Sequence, residues 1–181
     1  MKLLKIFSYN LIFFFLFILI IEIIFGFWFD KNNLGPYMRE HRMKKIDYTM
    51  KIDDVRYDYT YKRNYHGFIG EEIKLDKIKA IMVGGSTTDE RYKPENFRIA
   101  GILNKKLLEK KIDLKIISAG IEGQSTIGHL NNFKVWFPKL ENFQPKIIIF
   151  YVGINDHLTP VKEMKNLMSS DGMVKNPKKT D

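Results

Sequence analysis

Three short loops hold the residues able to do chemistry, and one of them carries a serine. The first, Gly84-Gly85-Ser86-Thr87-Thr88, abruptly ends the apolar run Ile78-Lys79-Ala80-Ile81-Met82-Val83. Such a run predicts a buried strand, and the paired glycines predict a tight turn at its carboxyl end. Ligands bind at that end of strands in open α/β sheets. A serine presented there is a candidate nucleophile. The second loop is Ala119-Gly120-Ile121-Glu122-Gly123-Gln124-Ser125, and the third is Gly153-Ile154-Asn155-Asp156. Each is common as a plain strand–helix connection. The first matches neither the phosphate-loop pattern nor the dinucleotide fingerprint, since it lacks the lysine of one and the glycine spacing of the other. As a set, the loops offer a hydroxyl at Ser86, a small backbone position at Gly123 and a side-chain amide at Asn155.

A serine nucleophile also needs a base. The histidines are His41, His66, His129 and His157. His41 and His66 fall in a polar lead-in, and His129 falls early in a helix. His157 alone is expected at the same end of the sheet as Ser86, directly after Asn155-Asp156. Its bland reading is a histidine on the rim of a loop. The adjacent pairs Asp53-Asp54 and Glu71-Glu72 read as solvated carboxylates, and no set of residues has metal-ligand character. No metal or cofactor is expected.

The elements that must position these loops alternate between strand and helix. Strands are predicted at residues 78–83, 114–118 and 146–152. Helices are predicted at about 97–111, where Ile99, Ile102, Leu103 and Leu107 form an apolar stripe, and at about 125–140. Ser125 is the expected N-cap of the second helix, and Pro138 is expected to kink or end it early. Strands joined by helices in this rhythm make a parallel sheet with right-handed crossovers, and in a flavodoxin-like order the first three strands lie 2-1-3. The switch point between strands one and three sets the Ser86 turn beside the loop after Val152. The expected class is α/β, a flavodoxin-like three-layer α/β/α sandwich with three strands in place. The third strand is apolar enough to be central. Its uncovered edge implies that the tail, a partner or a further part of a longer protein covers it.

Residues 6–29 are almost uninterrupted Ile, Leu and Phe, which is long enough to cross a bilayer. Glu22 is their ionisable residue, and bulky Gly26-Phe27-Trp28-Phe29 offers no small-residue cleavage site. A retained N-terminal transmembrane anchor is expected. Lys2 and Lys5 favour a cytoplasmic amino terminus and an exported domain, whereas Lys31, Arg39, Arg42, Lys44 and Lys45 favour the reverse. The short basic leader is taken to decide, giving a single-pass membrane protein with its soluble part extracytoplasmic. The chain divides into an anchor at 1–29, a juxtamembrane lead-in at 30–76, an α/β region at 77–168 and a tail at 169–181. The lead-in is expected to form one or two half-exposed strands or a stalk, with Tyr57, Tyr59 and Tyr61 on one face.

The chain has 181 residues and a formal charge of +9, but its lysines are scattered among acidic residues. No basic helix or aromatic–basic stripe stands out, so nucleic acid is not an expected partner. With no cysteines, disulfides and thiolate chemistry are excluded.

In this order and spacing the loops resemble the SGNH/GDSL hydrolase superfamily, through three of its four signature blocks over about residues 77–157. Gly84-Gly85-Ser86 stands where that family commonly has Gly-Asp-Ser. Gly123 corresponds to the glycine of the second block, and Gly153-Ile154-Asn155-Asp156 matches the third fully. Upstream, the segment from Asn64 to Ile73 resembles a lead-in of some anchored members, with Ile69 where an arginine often stands. The resemblance implies Ser86 as nucleophile, with the Ser86 and Gly123 N–H groups and the Asn155 amide as oxyanion donors. Asp156 would brace its loop. The family's base is the histidine of a later Asp-x-x-His block, and no histidine here has Asp three residues before it. The expected function is therefore a membrane-anchored serine esterase or acyl-ester hydrolase, or an O-acyltransferase, in a chain ending before that block. Its substrate would be a glycan O-acyl group or a small-molecule or lipid ester. The alternative is a non-catalytic anchored binding or assembly module with the same fold.

Overall fold

A computed structural model describes residues 2–26, 28–29 and 34–156. The apolar N-terminal run forms α1, Lys2–Phe25. Its segment Leu4–Phe25, with a mean hydropathy of 2.4, is long and apolar enough to cross a membrane. Its side chains are exposed almost throughout, so it is not a core helix. A single turn, α2 (Pro36–Arg39), follows.

The lead-in resolves into an antiparallel hairpin, β1 (Lys44–Ile52) and β2 (Val55–Arg63). Asp53 and Asp54 make its two-residue turn, both with positive φ, as the right-handed twist of hairpins favours. The carboxylate pair that looked merely solvated is therefore a turn. Alternation along β2 sends Tyr57, Tyr59 and Tyr61 inward. Tyr57 meets the Phe97 ring at 5.2 Å, Tyr59 donates to the Arg91 carbonyl at 3.0 Å, and Tyr61 is buried.

The α/β region has a three-stranded parallel sheet made of β3 (Ala80–Gly84), β4 (Ile116–Ser118) and β5 (Ile147–Tyr151), ordered β4-β3-β5. This is the 2-1-3 order expected from the sequence. Central β3 is buried at every residue. One face packs on α4 (Ile99–Glu109), where Ile99, Leu103 and Leu107 meet Ala80, Met82 and Ile116. The opposite face places Ile81, Val83 and Ile117 against Phe68, Trp136 and Phe137. Ile69 joins the hairpin to the sheet by bridging Arg63 and Ser118.

Ser86 opens a single helical turn, α3 (Ser86–Asp89). The second long helix is shorter than expected. It runs as α5, Thr126–Asn131, then widens into a π turn over Asn132–Trp136 and tightens over Phe137–Lys139. Pro138 accounts for this: it lacks an N–H, and its ring crowds the carbonyl four residues back, inside the widened turn. Ser125 does not cap α5 with its side chain. The Asp156 carboxylate takes that role from a different loop, accepting the Thr126 N–H at 2.6 Å.

β5 is an edge strand among the described residues, and Ile147, Ile148, Phe150 and Tyr151 are exposed. The end of the α/β region, residues 157–168, and the tail at 169–181 lie outside the described residues.

Gly120 marks where the second loop crosses the serine turn. A methyl group there would stand 2.4 Å from the Asp89 nitrogen and 2.6 Å from the Thr88 carbonyl carbon. Both obstacles are backbone, so neither can rotate away. Gly120→Ala is expected to cost about 1–3 kcal/mol, the usual range for overpacking. Urea unfolding of the variant against the parent protein checks this.

Candidate functional site

The three loops leave the carboxyl ends of β3, β4 and β5 and meet at Gly85. A Cβ on Gly85 would lie 2.8 Å from Asn155 Nδ2 and 3.2 Å from the Gln124 carbonyl oxygen. Glycine is needed here because the other two loops already fill the space beside it. Ser86, the next residue, is exposed. It borders an open cleft of about 330 Å³ lined also by Thr87, Arg91, Tyr92, Glu122 and Tyr151. Among the described residues, neither the Ser86 hydroxyl nor the Ser86 N–H has a hydrogen-bond partner.

Gly123 has φ +76°, a conformation that disfavours any side chain. A Cβ there would meet nothing within 4 Å. Its positive φ is thus a reason for glycine at this position that the sequence did not show. Its N–H likewise has no acceptor among the described residues. Asn155 Nδ2 donates one hydrogen to the Gln124 carbonyl at 2.9 Å, which ties the third loop to the second. Asp156 adds a second tie, accepting from Thr126 Oγ1 at 2.6 Å as well as from the Thr126 N–H. These bonds hold its carboxyl below the usual aspartate range. Bracing is the role that the sequence suggested for it.

None of the described histidines lines the Ser86 cleft. The His41 carbonyl accepts from Arg63 Nε at 2.8 Å, and the His66 carbonyl accepts from Trp136 Nε1 at 2.7 Å. His129 is buried against Gln124. His157 lies outside the described residues.

The chain resembles a solved esterase over half its length. That structure is AlinE4, a SGNH-hydrolase family esterase, at 21% identity and a TM-score of 0.39 over 52% of this chain. Two alanine variants of the same esterase align similarly, at TM-scores of 0.39 and 0.38. The chain spans about half the length of that esterase, 56% of it. No protein-family model and no curated protein matches the chain.

Two polar networks behind the loops escaped the sequence. The first centres on Asp89, one helical turn after Ser86. Its carboxylate accepts from Tyr61 Oη at 2.6 Å and Arg91 Nη2 at 2.8 Å, with Arg63 Nη1 at 3.5 Å. Burial pushes the Tyr61 hydroxyl up to about 12, so it stays a donor. Arg63 also donates to the Gly120 and Gly67 carbonyls at 2.8 and 2.7 Å. Arg91 reaches onward to Glu122, 2.8 Å away and next to Gly123. The second network surrounds Gln124, whose amide meets Tyr37, His129 and Asn132. The available sequence signal was polar residues at helical or adjacent spacing from Ser86 and Gly123: Asp89 and Gln124.

Burial holds the imidazoles of His41, His66 and His129 below the ordinary histidine value. An unfolded chain therefore takes up protons near pH 6.5 that the folded chain does not. Stability is complete above that pH and falls as the pH drops through it toward the folded values. Urea midpoints are expected to be lower at pH 5.5 than at pH 7.5, and His129→Asn should shrink the difference.

Proposed function

We propose that Ser86, Gly123 and Asn155 form the nucleophile and oxyanion site of an SGNH-type ester hydrolase. The observation carrying this reading is the meeting of the three loops at Gly85, which sets the Asn155 amide against the Gly85-Ser86 turn. Ser86 Oγ attacks the ester carbonyl carbon and passes its proton to a base. The oxygen that becomes negative is held by the Ser86 and Gly123 N–H groups and the second Asn155 Nδ2 hydrogen. Collapse expels the alcohol, and water, or a second alcohol in an acyltransferase, then takes the acyl group. His157 is the base candidate. The cleft beside Ser86 carries exposed tyrosines, Tyr92 and Tyr151, among charged side chains. A glycan O-acyl ester, whose sugar ring can stack on such tyrosines, is the substrate class read here, with a lipid ester the other possibility.

The domain division read from the sequence is retained, with residues 1–29 as a membrane anchor and the α/β region extracytoplasmic. The complete sheet is read as flavodoxin-like. A second reading, a non-catalytic anchored module, is favoured by the lack of any described histidine at the cleft.

Hydrolysis of p-nitrophenyl acetate and of an acetylated oligosaccharide by the full chain in detergent micelles separates the two. Slow release abolished by Ser86→Ala is the expected result. Release that Ser86→Ala leaves unchanged would remove the hydrolase reading. A large further loss in His157→Ala would identify the base.

A further inference from the structure

The Gln124 side chain uses its whole hydrogen-bonding capacity inside the protein. Its Nε2 donates to Tyr37 Oη at 2.5 Å and to Asn132 Oδ1 at 3.0 Å. Its Oε1 accepts from Asn132 Nδ2 at 3.1 Å and lies 3.1 Å from His129 Nδ1. Asn132 is fully buried and His129 is 3% exposed. An amide oxygen only accepts, so His129 Nδ1 must carry the proton. In the neutral ring Nε2 is then a bare acceptor, and it is buried with no partner among the described residues. That nitrogen reaches nothing that could need a base. What the arrangement does fix is Gln124, whose backbone carbonyl binds the Asn155 amide.

We propose that Gln124 and His129 are positioning residues for the Asn155 amide, with His129 locked as its neutral Nδ1–H tautomer. His129 donates to the Gln124 amide, and the side chain so held keeps the Gln124 carbonyl where Asn155 Nδ2 meets it. One Nδ2 hydrogen is thereby aimed away from solvent, and the other faces the Gly85-Ser86 turn. Tyr37 from α2 and Asn132 complete the clamp, and Asp156 is the charged group facing His129. The inference rests on the reading of Asn155 as an oxyanion donor, but its test does not need an active enzyme.

The test uses ¹⁵N-labelled full chain in micelles and two readouts, the His129 ring nitrogens and hydrogen exchange at the Asn155 side-chain amide. In the parent protein, Nδ1 is expected protonated and Nε2 unprotonated at pH 7. His129→Asn places an amide N–H near the position of Nδ1 and should keep Asn155 exchange at the parent rate. His129→Gln places it near Nε2, and His129→Leu and Gln124→Met offer no equivalent bond. Asn155 exchange should be about 10-fold faster in these three, the scale for a lost buried hydrogen bond. An Nε2–H tautomer in the parent protein would overturn the proposal, with no variant needed. Parent-like exchange in both His129→Leu and Gln124→Met would overturn it too. A Ser86 that resists a fluorophosphonate in the parent protein counts against the hydrolase reading alone, since the exchange rates still decide the positioning role.

Discussion

Asn155→Ala is expected to slow modification of Ser86 by a fluorophosphonate by about 10²–10³, the usual effect of losing one oxyanion donor. The reason is geometric. Asn155 Nδ2 already gives one hydrogen to the Gln124 carbonyl, so its orientation is set before any ligand arrives. The donor costs nothing to reorganise when charge develops on the reacting oxygen. Alanine removes the donor and the amide that stands against the turn at Gly85. Stability should change little, by about 1 kcal/mol for the lost bond to Gln124. Asn155→Asp sharpens the expectation. A carboxylate of the same shape has no hydrogen for the developing oxyanion and repels it, so the aspartate variant should be at least as slow as the alanine one. Rate constants at matched probe concentration, with urea unfolding of each variant, separate a lost donor from a damaged fold.

The second large effect is on stability. Arg63→Met is expected to cost about 3–5 kcal/mol, the range for breaking a buried ion pair by removing one partner. Arg63 and Asp89 side chains are 2% and 1% exposed. Arg63 also satisfies the carbonyls of His41, Gly67 and Gly120, so its loss orphans acceptors from three separate segments. The midpoint of thermal unfolding should fall by about 10 °C or more. Arg63→Lys should recover little, because an ammonium cannot serve the same fork of acceptors. The double variant Arg63→Met with Asp89→Asn should lose less than the sum of the single losses, since a neutral amide at position 89 needs no cation. Additive losses would mean that the two residues act separately. The serine turn feels this network directly, because Asp89 ends the helical turn that Ser86 begins.

What could be read from the sequence was what local chain chemistry decides. The run ending at Val83 with two glycines after it could hardly be other than strand and turn. A flavodoxin-like arrangement of three alternating strands and helices then implied the β4-β3-β5 order without any structure. Asp156 was legible as a brace because it sits one residue after a candidate amide. The rest depended on contacts between distant segments. Arg63 and Asp89 are 26 positions apart and joined only by tertiary packing. Ser125 does stand at the N-cap of α5, as its type suggested, but the capping bond comes from a distant segment: Asp156, 30 residues beyond Thr126, has the carboxylate that accepts the Thr126 N–H. Gln124 looked like a polar loop residue until Tyr37, His129 and Asn132 closed around its amide. At Gly123 the positive φ that favours glycine is a backbone property that residue type alone did not show.

The central claim, that Ser86 shares an oxyanion site with Gly123 and Asn155, is tested most directly by a crystal structure of the Ser86 phosphonate adduct. The phosphoryl oxygen should lie about 2.7–3.1 Å from the Ser86 and Gly123 nitrogens and from Asn155 Nδ2. A phosphoryl oxygen turned toward solvent, with Asn155 still bound only to the Gln124 carbonyl, would contradict it.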